Sequence, residues 1–158
     1  IPDGLRDSKQ LTATRRAELS ARLWDMAEVS VAHASVEEID ALNILRASHL
    51  AMIRAIAGLP VCADYALIDG NLMPRDLACK GRALVRGDAL SLSIAAASIV
   101  AKVARDALMV GLAQQHPGYG WETNAGYPTP DHQRALLDLG VTPVHRRSFK
   151  PVHNILYQ

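Results

Sequence analysis

Aromatic side chains are scarce, at 4% of 158 residues with a single phenylalanine. A platform that stacks many nucleic-acid bases in succession needs more of them. A charge excess is missing as well: 17 Lys and Arg stand against 16 Asp and Glu, a net +1. That disfavours a DNA binder working by charge alone and leaves room for a local basic groove. The two cysteines, Cys62 and Cys79, sit in no metal-ligand spacing. They read as reduced thiols of a cytosolic protein rather than as a disulfide framework. Long apolar runs are also absent. The longest, Leu92 to Val103, is broken by Ser93, Ser98 and Lys102, short of the ~20 residues that span a bilayer. Ile1-Pro2-Asp3-Gly4 has neither the basic nor the apolar stretch of a signal peptide. It has no Met, which reads as an internal piece of a longer chain.

What is present is globular. Apolar residues are 49% and charged residues 21%, and this length suits one domain with a real core. Thr12 is placed to cap a helix over residues 13–28, with Leu19, Leu23 and Met26 as its apolar stripe. Val29 to Ala34 alternates and predicts a strand. Ser35-Val36-Glu37-Glu38 is a capping-box pattern that opens a short helical turn at Ile39 and Leu42. A longer helix follows from about Ile44 to Leu59, with Leu45, Met52, Ile56 and Leu59 as its buried side. Ala63 to Ile68 and Ala83 to Arg86 predict strands, each running into an acid beside glycine (Asp69-Gly70, Gly87-Asp88). Ser91 or Ser93 starts an alanine-rich helix to about Gln115, and Thr129-Pro130-Asp131 starts another that stops near Gly140. The expected class is α/β. Three candidate strands against five helical segments make a thin sheet.

Asp69 and Asp88 are the most informative pair. Acids at adjacent strand ends converge, and converging carboxylates repel unless a proton or divalent cation lies between them. Hard oxygen ligands with open positions favour Mg²⁺ or Mn²⁺. The plainer reading of Asp69 is a turn residue before glycine. His116, His132, His145 and His153 show no zinc spacing, and there is neither a G-x-S-x-G elbow nor a P-loop. Lys9, Arg86, Lys102, Arg105, Arg146 and Arg147, with Ser8 and Ser148, are the types that contact phosphate, although any surface carries scattered basic groups. Asp106 reads as a salt-bridge partner within its helix rather than as a third site acid. Tyr127, between Gly126 and Pro128, is either a loop anchor on the core or an exposed ring that meets a ribose 2′-hydroxyl.

Taken in order, several segments resemble ribonuclease HII, the type 2 ribonuclease H. They are Gly4-Leu-Arg-Asp-Ser-Lys-Gln-Leu11, Glu38-Ile-Asp-Ala-Leu-Asn-Ile-Leu45, Leu67-Ile-Asp-Gly-Asn71 and Arg86-Gly-Asp88. Then come Ala96-Ala-Ser-Ile-Val-Ala-Lys-Val-Ala-Arg-Asp106, Pro117-Gly-Tyr-Gly120, Gly126-Tyr-Pro-Thr129 with His132, and His145-Arg-Arg-Ser-Phe149. The resemblance implies one ribonuclease H-like domain over 1–158: a mixed sheet flanked by helices, helical from about residue 116. It implies a cytoplasmic monomeric endonuclease that cuts the RNA strand of RNA–DNA hybrids, single ribonucleotides within duplex DNA included. It leaves 3′-hydroxyl and 5′-phosphate ends and uses two divalent ions, Mg²⁺ or Mn²⁺, held by four carboxylates.

Asp69 and Asp88 match the third and fourth of those carboxylates. Tyr127 matches the tyrosine at the ribose of the RNA–DNA junction. Lys9 and Ser148 match positions near substrate phosphates, with Ser8 and Arg146 beside them. The usual Lys-Gly-Asp is Arg86-Gly87-Asp88 here, which keeps the charge. The family begins with an Asp-Glu strand, a Gly-Arg-Gly motif and a second strand, and residues 1–11 match none of these. These residues alone are therefore expected to be inactive, with the first two strands missing. The alternatives are a nucleic-acid-binding pseudo-nuclease of the same fold and a recombinase-type nuclease domain.

Overall fold

The computed structural model describes residues 2–157. Two compact units emerge, one of Ile1–His33 with Ser48–Ala104, the other of Ala34–Ala47 with Arg105–Gln158. In chain order the elements are a 3-10 turn at Ser8–Gln10, α1 (Ala13–Met26), α2 (Val36–Leu42), α3 (Ile44–Ala57), β1 (Tyr65–Asp69) and β2 (Lys80–Leu84). Next come α4 (Gly87–Leu90), α5 (Leu92–Gln115), α6 (Trp121–Asn124), α7 (Pro130–Leu139) and α8 (Lys150–Leu156).

The first unit holds the sheet. β1 and β2 are parallel, in register from Tyr65 opposite Lys80 to Asp69 opposite Leu84. Side chains alternate along β1, so Ala66 and Ile68 are buried while Tyr65, Leu67 and Asp69 are exposed. Thr12 caps α1 as its sequence predicts, its side chain accepting the Arg15 amide at 3.2 Å. Leu19 packs with Leu11 and Ile99 in a small core. A cavity of about 720 Å³ lies in this unit, walled by residues such as Val29, Val31, Met52, Ile56, Leu67 and Ala97.

Three expectations change here. Met26 is 51% exposed and Leu45 47%, so each apolar stripe is shorter than its spacing suggests. Met52, Ile56 and Leu59 line the cavity instead of closing against a neighbour. Val29 to Ala34 forms no strand among the described residues, whose sheet has only β1 and β2. Alternation makes a segment fit for a sheet, but a strand exists only when a neighbour takes its hydrogen bonds. The strand predicted at Ala83 to Arg86 also lies earlier than expected, at Lys80–Leu84.

The second unit is helical. Met109, Tyr119, Trp121, Leu136 and Val152 form its buried centre. The Tyr119 and Trp121 rings stack with centroids 5.0 Å apart, and the Tyr119 hydroxyl donates to Gly140 O at 2.8 Å. His132 is buried with Nδ1 3.0 Å from Tyr119 O. Ser35 and Glu38 close the capping box of α2 reciprocally, at 3.2 and 2.8 Å. Asn43 ends α2 with φ of 70° and starts α3 by accepting the Arg46 amide at 3.2 Å. Thr129 caps α7, and its side chain accepts the His132 amide.

Candidate active site

Asp69 is the last residue of β1, and its position follows from the alternation that buries Ile68 and turns Asp69 outward. The Gly70 amide donates to Leu84 O at 2.9 Å, which holds the strand ends together. From Leu84 the chain makes a tight turn through Arg86, which has φ of 57°, into the short helix α4. Asp88 is therefore in the first turn of a helix, not at a strand end as the sequence suggests. Asp69 Oδ1 accepts the Gly87 amide at 2.8 Å, so its carboxylate lies against the residue that precedes Asp88.

A side chain at 87 would crowd this approach. A Cβ there would stand 2.5 Å from Ile94 Cδ1 and 3.3 Å from Asp69 Oδ1. The Asp69 Oδ2 atom takes no hydrogen bond among the described residues. Asp69 is exposed and Asp88 half-buried, so both can face a solvated ion. This donor set is carboxylate oxygen without nitrogen or sulfur, which fits a hard divalent cation such as Mg²⁺ or Mn²⁺. Among the described residues no group of three or more His, Cys, Asp or Glu is assembled. Cys62 and Cys79 are free thiols.

Lys9 and Ser8 share the 3-10 turn of the first unit. Asp7 caps it by accepting the Lys9 amide at 2.9 Å, and Arg16 ties it down by donating to Ser8 O and Leu11 O at 3.0 and 2.6 Å. Lys9 is exposed, but Ser8 is only 8% exposed. Of the two, Lys9 projects toward solvent, and Ser8 belongs to the turn's interior.

In the second unit Tyr127 is 63% exposed. The core anchors are Tyr119 and Trp121, so the reading of Tyr127 as a buried loop anchor does not hold. Its loop is shaped by Ala125 and Gly126, with φ of 48° and 80°, and by Asn124, whose Oδ1 accepts the Gly126 amide at 2.8 Å. Arg105 Nη2 donates to Ala125 O at 3.4 Å. The Arg146 guanidinium sits 4.7 Å from the centre of the Phe149 ring, a cation–π contact. Burial, together with the nearby positive charge of Arg105, lowers its pKa, against the pull of Asp40. Two like-charged guanidiniums held near each other favour an anion between them.

Ser148 is exposed, yet its hydroxyl is 2.5 Å from Asp40 Oδ1. Asp40 lies within the Glu38–Leu45 segment, but no sequence signal ties it to Ser148, 108 residues away. The Gly87 amide was equally invisible, because main-chain donors carry no sequence signature.

The sequence pattern of the family described as Ribonuclease HII matches residues 3–152. A curated Ribonuclease HII from Cereibacter sphaeroides is 73% identical over the whole chain, which covers 74% of that relative. One from Ruegeria pomeroyi is 68% identical, again over the whole chain and 68% of the relative. Among solved structures, the ribonuclease H2 from Pyrococcus horikoshii OT3 superimposes with a TM-score of 0.81 at 26% identity, covering 96% of this chain and 80% of that one. These likenesses show that the chain belongs to the ribonuclease HII family, hydrolases that cut the RNA strand of RNA–DNA hybrids.

Proposed function

We propose that these residues carry half of a two-metal active site for hydrolysis of an RNA strand at a ribonucleotide, including a single ribonucleotide within duplex DNA. The observation that supports this most is the Asp69–Gly87 hydrogen bond of 2.8 Å, which sets Asp69 beside Asp88. Asp69 and Asp88 would hold Mg²⁺ or Mn²⁺ together with the Asp-Glu pair of the family's first strand. Bound divalent ions make water a better nucleophile at neutral pH and neutralise charge on the phosphate and the departing oxygen. Gly87 orients Asp69 through its amide. Lys9 and Arg146 supply positive charge along the phosphate track, with Ser8 and Ser148 in the turns that present them. Tyr127 offers an exposed ring and hydroxyl to the ribose, whose 2′-hydroxyl separates RNA from DNA.

The 158 residues by themselves bring two of the four carboxylates, and we read them as inactive alone. Two carboxylates without the rest of the cage repel each other with less cation affinity to offset it. The enzyme is read as a cytoplasmic monomer. No helix among the described residues is long and apolar enough to cross a membrane.

The test joins these residues to the family's Asp-Glu strand and offers three duplexes: an RNA–DNA hybrid, DNA with one ribonucleotide, and all-DNA. The first two are expected to be cut only with Mg²⁺ or Mn²⁺, leaving 3′-hydroxyl and 5′-phosphate ends. Cleavage of all-DNA would favour a recombinase-type nuclease. Binding without metal-dependent turnover would favour a pseudo-nuclease.

A further inference from the structure

We infer that Asp40 is a positioning residue for the turn at Arg146–Phe149, and that the Ser148 hydroxyl locks this turn instead of donating to a substrate phosphate. The inference deepens the proposed nucleic-acid track and rests on it for the role of the turn.

Asp40 Oδ1 accepts the Ser148 amide at 2.9 Å and the Ser148 hydroxyl at 2.5 Å. Its Oδ2 accepts the Arg147 amide at 2.9 Å. One carboxylate thus takes three hydrogen bonds from two consecutive residues. The turn closes on itself through the Phe149 amide, which donates to Arg146 O at 3.1 Å. Asp40 can act as an anchor because its own helix is firmly started by the Ser35–Glu38 capping box. What the turn presents is positive: Arg147 is exposed, and Arg146 is braced on Phe149.

The hydroxyl has one proton. At 2.5 Å from an ionised carboxylate, that proton lies in a short, charge-assisted bond. What the oxygen still offers outward is lone pairs, and a phosphate diester has no proton to give them. Phosphate contact therefore falls to the arginines, and Ser148 contributes by fixing where they stand.

The charge state agrees. Burial works to raise the pKa of Asp40, but the Ser148 hydroxyl and the Ser148 and Arg147 amides outweigh it, so the pKa is lowered. The charged groups that act on Asp40 or feel it are Arg146, Arg147 and Glu37. The arginines favour its ionised form and Glu37 opposes it.

Two measurements test the inference. The first needs no substrate. The Arg147 and Ser148 amide resonances are expected to titrate together with a midpoint below 3.8, the ordinary value for Asp40, and to lose this response in Asp40→Asn. Amides indifferent to the substitution would overturn the inference. The second is a double-mutant cycle on affinity for an RNA–DNA hybrid at two salt concentrations. Asp40→Ala and Ser148→Ala are each expected to weaken binding about tenfold, roughly the loss of one charge-assisted hydrogen bond. The double variant should be no weaker than either. Asp40→Asn, which keeps one acceptor, should recover part of the loss, and the salt slope should not change with Ser148→Ala. A Ser148→Ala loss that persists undiminished in the Asp40→Ala background would show direct donation to phosphate and end the inference. An unmodified chain without affinity for any duplex would instead count against the proposed function, and the amide titration would still decide the role of Asp40.

Discussion

Asp69 is useful because of the main-chain amide it meets, and the meeting depends on a missing side chain. A methyl at position 87 would press on Ile94 Cδ1 at 2.5 Å and on Leu84 Cβ at 3.3 Å. Gly87→Ala is expected to destabilise the fold by about 1–3 kcal/mol, as overpacking does. A lower urea midpoint at unchanged slope would report it, and an unmoved midpoint would contradict the close approach. His145 gives a second prediction. It is 7% exposed, and its Nδ1 accepts the Thr142 amide at 3.0 Å, so the ring proton is on Nε2, a buried atom without a hydrogen-bond partner among the described residues. Burial, with His132 next to it, lowers its pKa from 6.5 to about 4. An unfolded histidine takes up its proton near pH 6.5, so between 6.5 and 4 the unfolded state binds more protons than the folded state. The stability held above pH 6.5 is lost across this window, on the order of 3 kcal/mol. His145→Gln should flatten that part of the stability–pH profile, and a profile unchanged by the substitution would contradict the burial of a neutral ring. At this scale the sequence was partly legible. Asp69 and Asp88 stood out as acids beside glycine. Asp40 and the Gly87 amide did not, because their partners are set by tertiary contact over 108 and 18 residues.

Helix starts were the most legible elements, since a cap is a local chemical device. Thr12, Ser35 and Thr129 all cap where their sequence places them. Ser35→Ala removes half of a capping box and is expected to cost about 1 kcal/mol. Because α2 carries Asp40, the loss should also raise hydrogen exchange at the Arg147 and Ser148 amides. Exchange unchanged there would mean that α2 does not hold the turn. Strands were less legible. Val29 to Ala34 has the right alternation and forms no strand among the described residues, because pairing is not written in one segment. The short helices α4 and α6, four residues each, leave no mark in the sequence for a related reason: one turn has no periodicity to detect. α4 matters most, since it moves Asp88 from a strand end into a helical turn while leaving it beside Asp69.

At the level of the whole molecule, the residues proposed for the site fall in two compact units. One has the carboxylate pair and Lys9; the other has Tyr127, Arg146 and the Asp40-anchored turn. The thin sheet expected from the sequence is thinner still in the fold, with one parallel pair and a cavity of about 720 Å³ beside β1. As proposed, Asp69 and Asp88 together hold the ions that make hybrid cleavage possible. The most direct test is Mn²⁺- or Mg²⁺-dependent cleavage of an RNA–DNA hybrid by these residues joined to the family's Asp-Glu strand, with and without Asp69→Asn or Asp88→Asn. Each substitution should abolish cleavage and leave hybrid affinity within a few-fold, since it removes an ion ligand and no phosphate contact. Cleavage within tenfold of the unsubstituted protein would contradict the claim.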